Sequence, residues 1–211
     1  MEPRPGLPNF WVTSIAKALS GDQPCLLSPW LAGRFKFDEE PESAQMAKWK
    51  ADHAAMLRDE AQRLAEEGWS VKQEAFFRVD GQHAIISGKA DIIARKKDCR
   101  PRIIDCKSGR PRQSDTTQVL IEMVLIPMFY KSPTMQFEGD VIYQSLNSIV
   151  LSPSDAEAIR PKLFALLKQL GTMARPAPIP GRDACQFCKV PDAECGQRYR
   201  DEEETVTTLE F

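Results

Sequence analysis

Two apolar segments each contain an aspartate where a buried strand is expected to be apolar. Asp91 precedes two isoleucines in GKADIIAR, and Asp105 follows two isoleucines in IIDCKSG. If the segments form a hairpin centred on Asp98, the two aspartates lie opposite one another, with Cβ atoms about 5 Å apart. Facing carboxylates repel unless one is protonated or a cation lies between them. The pair therefore predicts a cation site.

Lys107 belongs to the same constellation. Residues two apart on a strand share a face, so Lys107 lies beside Asp105 while Cys106 points the other way. Mg²⁺ and Mn²⁺ prefer carboxylate oxygens, and a bound ion can activate water and offset charge on a phosphate. His53, on the inward stripe of a predicted helix, would add a nitrogen ligand that favours Mn²⁺. The pattern indicates metal-dependent hydrolysis of a phosphate ester.

Each of these residues also has a plainer interpretation. Asp91 alone would serve as an edge-strand solubility device, and Asp105 with Lys107 as a surface ion pair. His53 alone would be a hydrogen-bonded core histidine, and Glu74, at a strand start, a solvated side chain. Their convergence on one sheet face beside a basic loop favours the metal site.

Three cysteines cluster near the end of the chain as Cys185-x2-Cys188-x6-Cys195. The C-x-x-C spacing places two thiolates around one ion or one corner of a cluster. Cys25 supplies a fourth thiolate if the two ends of the chain meet, and spacing alone leaves zinc and an iron–sulfur cluster equally open. Cys99 and Cys106 are expected to stay unligated, in a turn and in the core.

The elements that must position these residues follow from periodicity and turn signals. We expect an α/β core with flanking helices. The predicted helices cover residues 10–20, 41–68, 115–126 and 153–170, and the predicted strands cover 74–79, 83–94, 102–107 and 141–146.

Composition limits the class of protein. The chain has 211 residues, 28 Lys plus Arg against 30 Asp plus Glu, and no apolar run long enough to span a membrane. The first residues lack a signal-peptide core, which favours a cytoplasmic protein. Positive charge is concentrated locally, and the residues expected to contact nucleic-acid phosphates are Arg95, Lys96, Lys97, Arg110 and Arg112.

The ordered motifs resemble the RecB-like nucleases of the PD-(D/E)XK superfamily. GKAD supplies G-x-x-D, IIDCKSG supplies D-x-K, and Gln118 supplies the glutamine of the next helix. The resemblance implies a restriction-endonuclease-like core, a mixed central sheet with flanking helices. It also implies Mg²⁺ or Mn²⁺ held by His53, Asp91, Asp105 and the backbone carbonyl of Cys106. The implied catalytic set is Asp91, Asp105, Lys107, Gln118 and Glu74. The family often has tyrosine where this chain has Glu122.

The flanking segments resemble the stand-alone CRISPR-associated RecB-like exonucleases and the AddB nuclease domain, over roughly residues 11–199. The resemblance implies a [4Fe–4S] cluster on Cys25, Cys185, Cys188 and Cys195, with Zn²⁺ as the alternative. One domain, 1–211, would then consist of an iron–sulfur staple from 10–40 and 175–199, which joins the N- and C-terminal segments as a cysteine-rich subdomain. The remainder would be a nuclease core, 41–174, and an acidic tail, 200–211.

The expected substrate is single-stranded DNA or DNA ends, with Trp30, Phe35 and Phe37 as stacking residues or as core aromatics. The resemblance implies an exonuclease that trims prespacers with the CRISPR integrase complex, and recombination, repair or phage functions of the AddB type are alternatives. An RNA nuclease and a non-catalytic nucleic-acid-binding protein with structural zinc also stay open, as does an oligomer.

Overall fold

The chain contains both helices and strands, and three strands follow one another between the helices at residues 44–66 and 113–129, as the periodicity predicts. A computed structural model describes residues 1–37, 43–144, 148–186 and 188–199. In chain order the elements are β1 (Glu2–Pro3), β2 (Asn9–Trp11), α1 (Val12–Ser20), α2 (Leu27–Arg34), β3 (Phe35–Lys36), α3 (Ala44–Glu66), β4 (Ser70–Asp80), β5 (Ile85–Arg95), β6 (Arg102–Lys107), α4 (Gln113–Phe129), β7 (Glu138–Tyr143), β8 (Ile149–Leu151), α5 (Pro153–Thr172), α6 (Arg182–Gln186) and α7 (Asp192–Cys195). The predicted acidic tail and the predicted boundary at residues 40–41 lie outside the described residues.

The central sheet is mixed, which confirms the expected α/β architecture. Strands run in the order β2-β5-β6-β7-β8, and β4 pairs with β5. The β4–β5 and β5–β6 pairs are antiparallel, whereas β2–β5 and β6–β7 are parallel. A small separate ribbon joins β1 to β3.

Strand β5 forks at the position of the candidate site. β4 occupies one edge of β5 along nearly its whole length. On the other edge, residues 85–87 pair with β2 and residues 92–94 pair with β6. The segment from Gly88 to Asp91 therefore lies where two neighbouring strands diverge, and its backbone is free of a strand partner on that side.

Helices cover both faces of the sheet. Leu57, Ala61 and Leu64 of α3 pack with Ile92 and Ile104 on one face. The other face carries the larger core, to which α1, α4 and α5 contribute. Helix α4 is buried nearly all round, as expected for a helix held between the sheet and two other helices.

The two ends of the chain meet. Arg34 of α2 donates to the carbonyls of Leu170 and Gly171 near the end of α5, at 2.8 and 3.1 Å. The indole N–H of Trp30 donates to the carbonyl of Met173 at 3.2 Å. These bonds satisfy carbonyls that the end of α5 would otherwise leave unpaired.

Several predicted boundaries were wrong. Residues 10 and 11 belong to β2, because they pair with β5, so α1 starts at Val12. The strand expected at 141–146 begins earlier, at Glu138, and its last two predicted residues lie outside the described chain. Strand β4 begins at Ser70 rather than Glu74.

The predicted inward stripe of α3 holds only in its second half. Leu57 and Leu64 are buried, but Met46 and Trp49 are about half exposed, and every residue from 44 to 52 is exposed.

Candidate active site

The hairpin register agrees with the predicted opposition of Asp91 and Asp105. Ile92 pairs with Ile104 and Ile93 with Ile103, so the next position places the two aspartates across from each other. The turn contains Asp98, which has a positive φ of 61°, a conformation that aspartate tolerates better than most residues. Asp105 is 1% exposed, so its carboxylate is removed from water.

Asp91 takes the place of a backbone partner at the fork. The β5–β6 pairing stops at Ile92, and beyond it the Asp91 carboxylate accepts the backbone N–H of Cys106 at 2.9 Å. Its other oxygen lies 3.6 Å from Nε2 of His53 on α3. Asp91 is thus held between a neighbouring strand and a helix, and His53 is brought to the site as predicted.

Asp105, Lys107 and Gln118 form one hydrogen-bonded network. Lys107 donates to Oδ1 of Asp105 at 3.1 Å, and its ammonium nitrogen lies 2.9 Å from Oδ2. The amide nitrogen of Gln118 donates to the same Oδ1 at 3.0 Å. Oδ2 receives no well-directed hydrogen bond although it is buried. The network leaves one carboxylate oxygen able to accept a further partner.

Burial and charge perturb the titratable groups. Burial raises the pKa of Asp105 to about 7 although Lys107 opposes the shift, and the nearby charge of Asp91 adds to it. Burial alone would lower the pKa of Lys107, but the charge of Asp105 and its hydrogen bond raise the value overall. The pKa of His53 is raised, chiefly by its contact with Asp91. These mutual effects place the four groups within one electrostatic environment.

The donor set fits a hard divalent cation in chemistry. Asp105 offers a buried oxygen that accepts no directed hydrogen bond and lies 2.9 Å from the Lys107 ammonium, Asp91 offers a second carboxylate and His53 an imidazole. Within the described ranges, no group of three or more His, Cys, Asp or Glu side chains is placed so that it could hold a metal ion. At present the Lys107 ammonium balances part of the acidic charge.

The sequence identified Glu122 only as a departure from the family pattern and gave it no role; it lies on α4 one turn after Gln118. It is 1% exposed, and its Oε1 accepts from the Gln118 amide at 3.2 Å. Burial, followed by the charges of Asp105 and Asp91, raises its pKa well above the ordinary value. The spacing of four residues on a helix was the available signal, since such residues share a face.

Two further missed residues come from α1. The Thr13 hydroxyl donates to Oε1 of Gln118 at 3.3 Å. Lys17 is half-buried, and its pKa is lowered by burial and then by the positive charges of Arg112 and Lys107. The charges of Asp115 and Asp22 act on this pKa in the opposite sense. We call Lys17, Lys107 and Arg112 the cationic group, because the charges of Lys107 and Arg112 act on Lys17.

The structure does not bring Glu74 into the hydrogen-bonded network. Its carboxylate pairs with Lys89 and is largely exposed. Glu74 has a φ of 48° and lies at the β4 position opposite Asp91, where regular pairing is interrupted between Gln73 and Ala75. A positive φ at glutamate is strained, so the backbone beside the site is locally distorted.

The basic residues divide into two groups rather than straddling one site. Arg95 lies over the Tyr130 ring, and Lys96 donates to the carbonyl of Glu67 near Trp69. Both are near the hairpin turn, roughly 13 Å along the strand from Asp91 at about 3.3 Å per residue. Lys97 is exposed in that turn, whereas Arg110 and Arg112 follow β6 on the Lys107 side.

The four cysteines predicted to share a site come from both ends of the chain, and three lie in one cluster. Cys25 packs with Leu27, Leu31, Ala184 and Val190, and Cys188 and Cys195 pack against this cluster. We call it the end cluster.

Backbone N–H groups point at two of these sulfurs, Ile179 at Cys25 and Tyr199 at Cys185, each at 3.4 Å. All four thiols are free of disulfides. Hydrogen bonds to sulfur and a shared apolar setting suit iron–sulfur ligation and do not exclude zinc. Cys106 is 1% exposed and Cys99 is exposed, as predicted.

The aromatic residues proposed for stacking are structural. Trp30, Phe35 and Phe37 pack against the end cluster, and Trp30 also stacks with Arg34 at 4.2 Å. An aromatic residue that sequence reasoning did not assign to substrate lies nearer to the site. Trp49 is about half exposed and stacks on His53 with ring centroids 5.5 Å apart.

Comparison with known protein families identifies the family of this chain. The family model described as the PD-(D/E)XK nuclease superfamily matches residues 18–193. Among solved structures, one titled "Crystal structure of SSO0001" aligns with a TM-score of 0.41 and 12% identity, over 86% of this chain and 83% of that chain. No curated protein matches the sequence. No helix in the described part of the chain is long and apolar enough to cross a membrane.

Proposed function

Because the chain belongs to the PD-(D/E)XK nuclease superfamily, we propose that it is a metal-dependent DNA nuclease that degrades single-stranded DNA from its ends. The observation that carries this proposal is the buried Asp105, paired with the half-buried Lys107 and lying opposite Asp91, at the fork of β5. Buried charges at a strand end are costly in a structure that does not use them, so their retention points to chemistry.

Asp91 and Asp105 would hold a divalent cation, with His53 as a third ligand. Such an ion, when bound, lowers the pKa of water and offsets negative charge on phosphate. Lys107 contributes a fixed positive charge next to Asp105 and can donate to a phosphate oxygen. Gln118 orients both groups, because its amide nitrogen contacts Asp105 and its amide oxygen lies 3.4 Å from the Lys107 ammonium.

Two features support DNA as the substrate. Lys107 contacts Asp105, and its charge and that of Arg112 act on Lys17, so the cationic group can contribute positive charge for phosphates of a bound strand. Trp49 presents an exposed ring on the His53 side, and bases of an unpaired strand stack on such rings. A duplex buries its base faces, so this ring favours a single strand.

The proposal is tested with end-labelled single- and double-stranded DNA in Mn²⁺ or Mg²⁺. Wild type should shorten the single strand from an end, and Asp105→Asn and Lys107→Ala should lower the rate at least about 100-fold, which is the scale of lost electrostatic stabilisation. Glu157→Gln, an exposed change on α5, is the matched control and should leave the rate unchanged. Equal digestion by all four proteins would remove these roles, whereas no digestion by wild type would favour a non-catalytic nucleic-acid-binding protein.

We also propose a [4Fe–4S] cluster on Cys25, Cys185, Cys188 and Cys195, with Zn²⁺ as the competing occupant. The convergence of both chain ends on the end cluster supports it. A nuclease with such a cluster is compatible with prespacer trimming together with the CRISPR integrase. It is also compatible with the AddB-type alternative in recombination, repair or phage biology, and both stay predictions.

A further inference from the structure

Glu122 has no role in the nuclease chemistry described so far, although it is one of the most deeply buried charged residues of the chain. Its Oε2 is buried without a hydrogen-bond partner, and its Oε1 accepts only from Gln118 among the bonds described. A buried carboxylate oxygen that receives no hydrogen bond typically lowers the stability of the fold unless it serves another purpose.

The side-chain amide of Gln118 makes all the hydrogen bonds it can make, and Glu122 accepts one of them. The amide nitrogen donates to Asp105 at 3.0 Å and to Glu122 at 3.2 Å. The amide oxygen accepts from Lys107 at 3.4 Å and from Thr13 at 3.3 Å. An amide has two N–H donors and one oxygen with two lone pairs, so all four capacities are filled.

This pattern fixes which way the amide points. Two carboxylates face its NH₂ group, and an ammonium and a hydroxyl face its oxygen. A flipped amide would set its oxygen against both carboxylates. Glu122 therefore doubles the penalty for the flip that Asp105 alone would impose, and it keeps an N–H directed at Asp105 Oδ1. The other Asp105 oxygen, Oδ2, is the one left without a hydrogen bond.

We infer that Glu122 is a positioning residue for the divalent cation. It acts through Gln118, whose amide it orients so that an N–H stays directed at Asp105 Oδ1 and the Asp105 carboxylate keeps one orientation. The inference rests on the proposed function, because it takes Asp105 as a ligand. Partners that orient metal ligands typically change metal affinity 10- to 100-fold when they are removed.

The test measures Mn²⁺ affinity of the intact protein by electron paramagnetic resonance, without DNA. Glu122→Met should weaken binding by about 10- to 100-fold. Glu122→Gln retains an acceptor oxygen for Gln118 and should restore part of this loss. Glu157→Gln is again the charge-matched control and should bind Mn²⁺ like wild type. Melting curves recorded on each variant establish that it is folded.

A double-mutant cycle separates positioning from general structural damage. If Glu122 acts through Gln118, Glu122→Met should weaken Mn²⁺ binding little further in a Gln118→Ala protein. Fully additive losses, or wild-type affinity in Glu122→Met, would overturn the inference while leaving the proposed nuclease intact. A wild-type protein that binds no Mn²⁺ would instead remove the metal assignment, and this inference with it.

Discussion

At the residue scale, the site concentrates acidic groups in a place where each of them is costly. Asp105 and Glu122 are both about 1% exposed, each has one oxygen without a hydrogen bond, and their charges repel. Lys107 compensates Asp105, but Glu122 faces only a neutral amide. The metal-free protein therefore holds unfavourable charge that a bound cation would relieve. A site prepared in this way binds its ion at the expense of stability without the ion.

The pH dependence of stability should reveal this cost at Glu122. The folded-state pKa of Glu122 is raised by burial, so its contribution to stability is present below the unfolded value of about 4.3 and is lost as pH rises towards the folded value. Glutamine has no such loss. In EDTA, the free energy of unfolding of Glu122→Gln should therefore increase relative to that of wild type as pH rises from 4 to 8. The difference should reach about 1–3 kcal/mol.

Urea unfolding at several pH values measures this difference. Glu157→Gln is the comparison, because the folded-state pKa of Glu157 is lowered by its hydrogen bond to Arg160 and the effect has the opposite sign. Identical midpoints for wild type and Glu122→Gln at pH 8 would show that Glu122 carries no desolvated charge.

At the element scale, the β5–β6 hairpin could be predicted because its register follows from local information. Asp98 tolerates the turn conformation. The isoleucine pairs fix the register of the two strands, and that register places Asp91 opposite Asp105. The fork of β5 could not be predicted, because it depends on β2, which comes from a segment that by periodicity resembles the start of a helix. Glu122 was noticed only as a departure from the family pattern, since its burial follows from the tertiary packing around α4, which is buried on nearly all sides.

Gly88 illustrates what the fork demands of the chain. A Cβ at this position would lie 2.5 Å from the ring of Phe77 and 2.9 Å from the side chain of Val12. Both neighbours are 1% exposed and have little room to move. The glycine of the GKAD motif is therefore required by close packing between β4, β5 and α1, a reason that the motif alone does not supply.

We expect Gly88→Ala to destabilise the protein by about 1–3 kcal/mol, because inserting a methyl group into a packed core forces its neighbours to shift. Gly109→Ala is the matched control, since a Cβ there meets no atom within 4 Å and its φ is not in the left-handed range. Chemical unfolding should place the control within about 0.5 kcal/mol of wild type. Equal stability of the two variants would mean that the β4–β5 packing is looser than described.

At the scale of the whole molecule, the fold brings two distant segments of the chain together. The hydrogen bonds from α2 to the end of α5 and the packing of Cys25 with Ala184 and Val190 need no metal. Convergence of the ends could be expected from the distribution of cysteines, since no fourth thiol lies near the C-terminal three. Whether zinc or an iron–sulfur cluster would occupy these thiols could not be predicted from spacing, because both accept it.

A cluster on these thiols should stabilise the fold before it affects catalysis. Linking positions 25 and 185 closes a loop of about 160 residues, for which chain entropy predicts a gain on the order of 4–5 kcal/mol. For a chain of this size such a gain raises the melting temperature by roughly 10 °C. Protein purified without oxygen should therefore be brown, absorb near 400 nm and melt above the stripped form.

The variants separate the cluster from general effects of cysteine substitution. Cys25→Ser should lose the colour and the added stability, while Mn²⁺ binding at Asp105 persists because the end cluster and the candidate active site are built from different residues. Cys99→Ser changes an exposed turn cysteine and should behave like wild type. A colourless wild type with one equivalent of zinc would assign the thiols to zinc. Equal melting temperatures of the loaded and stripped proteins would show that the packing of the end cluster alone holds the two segments together.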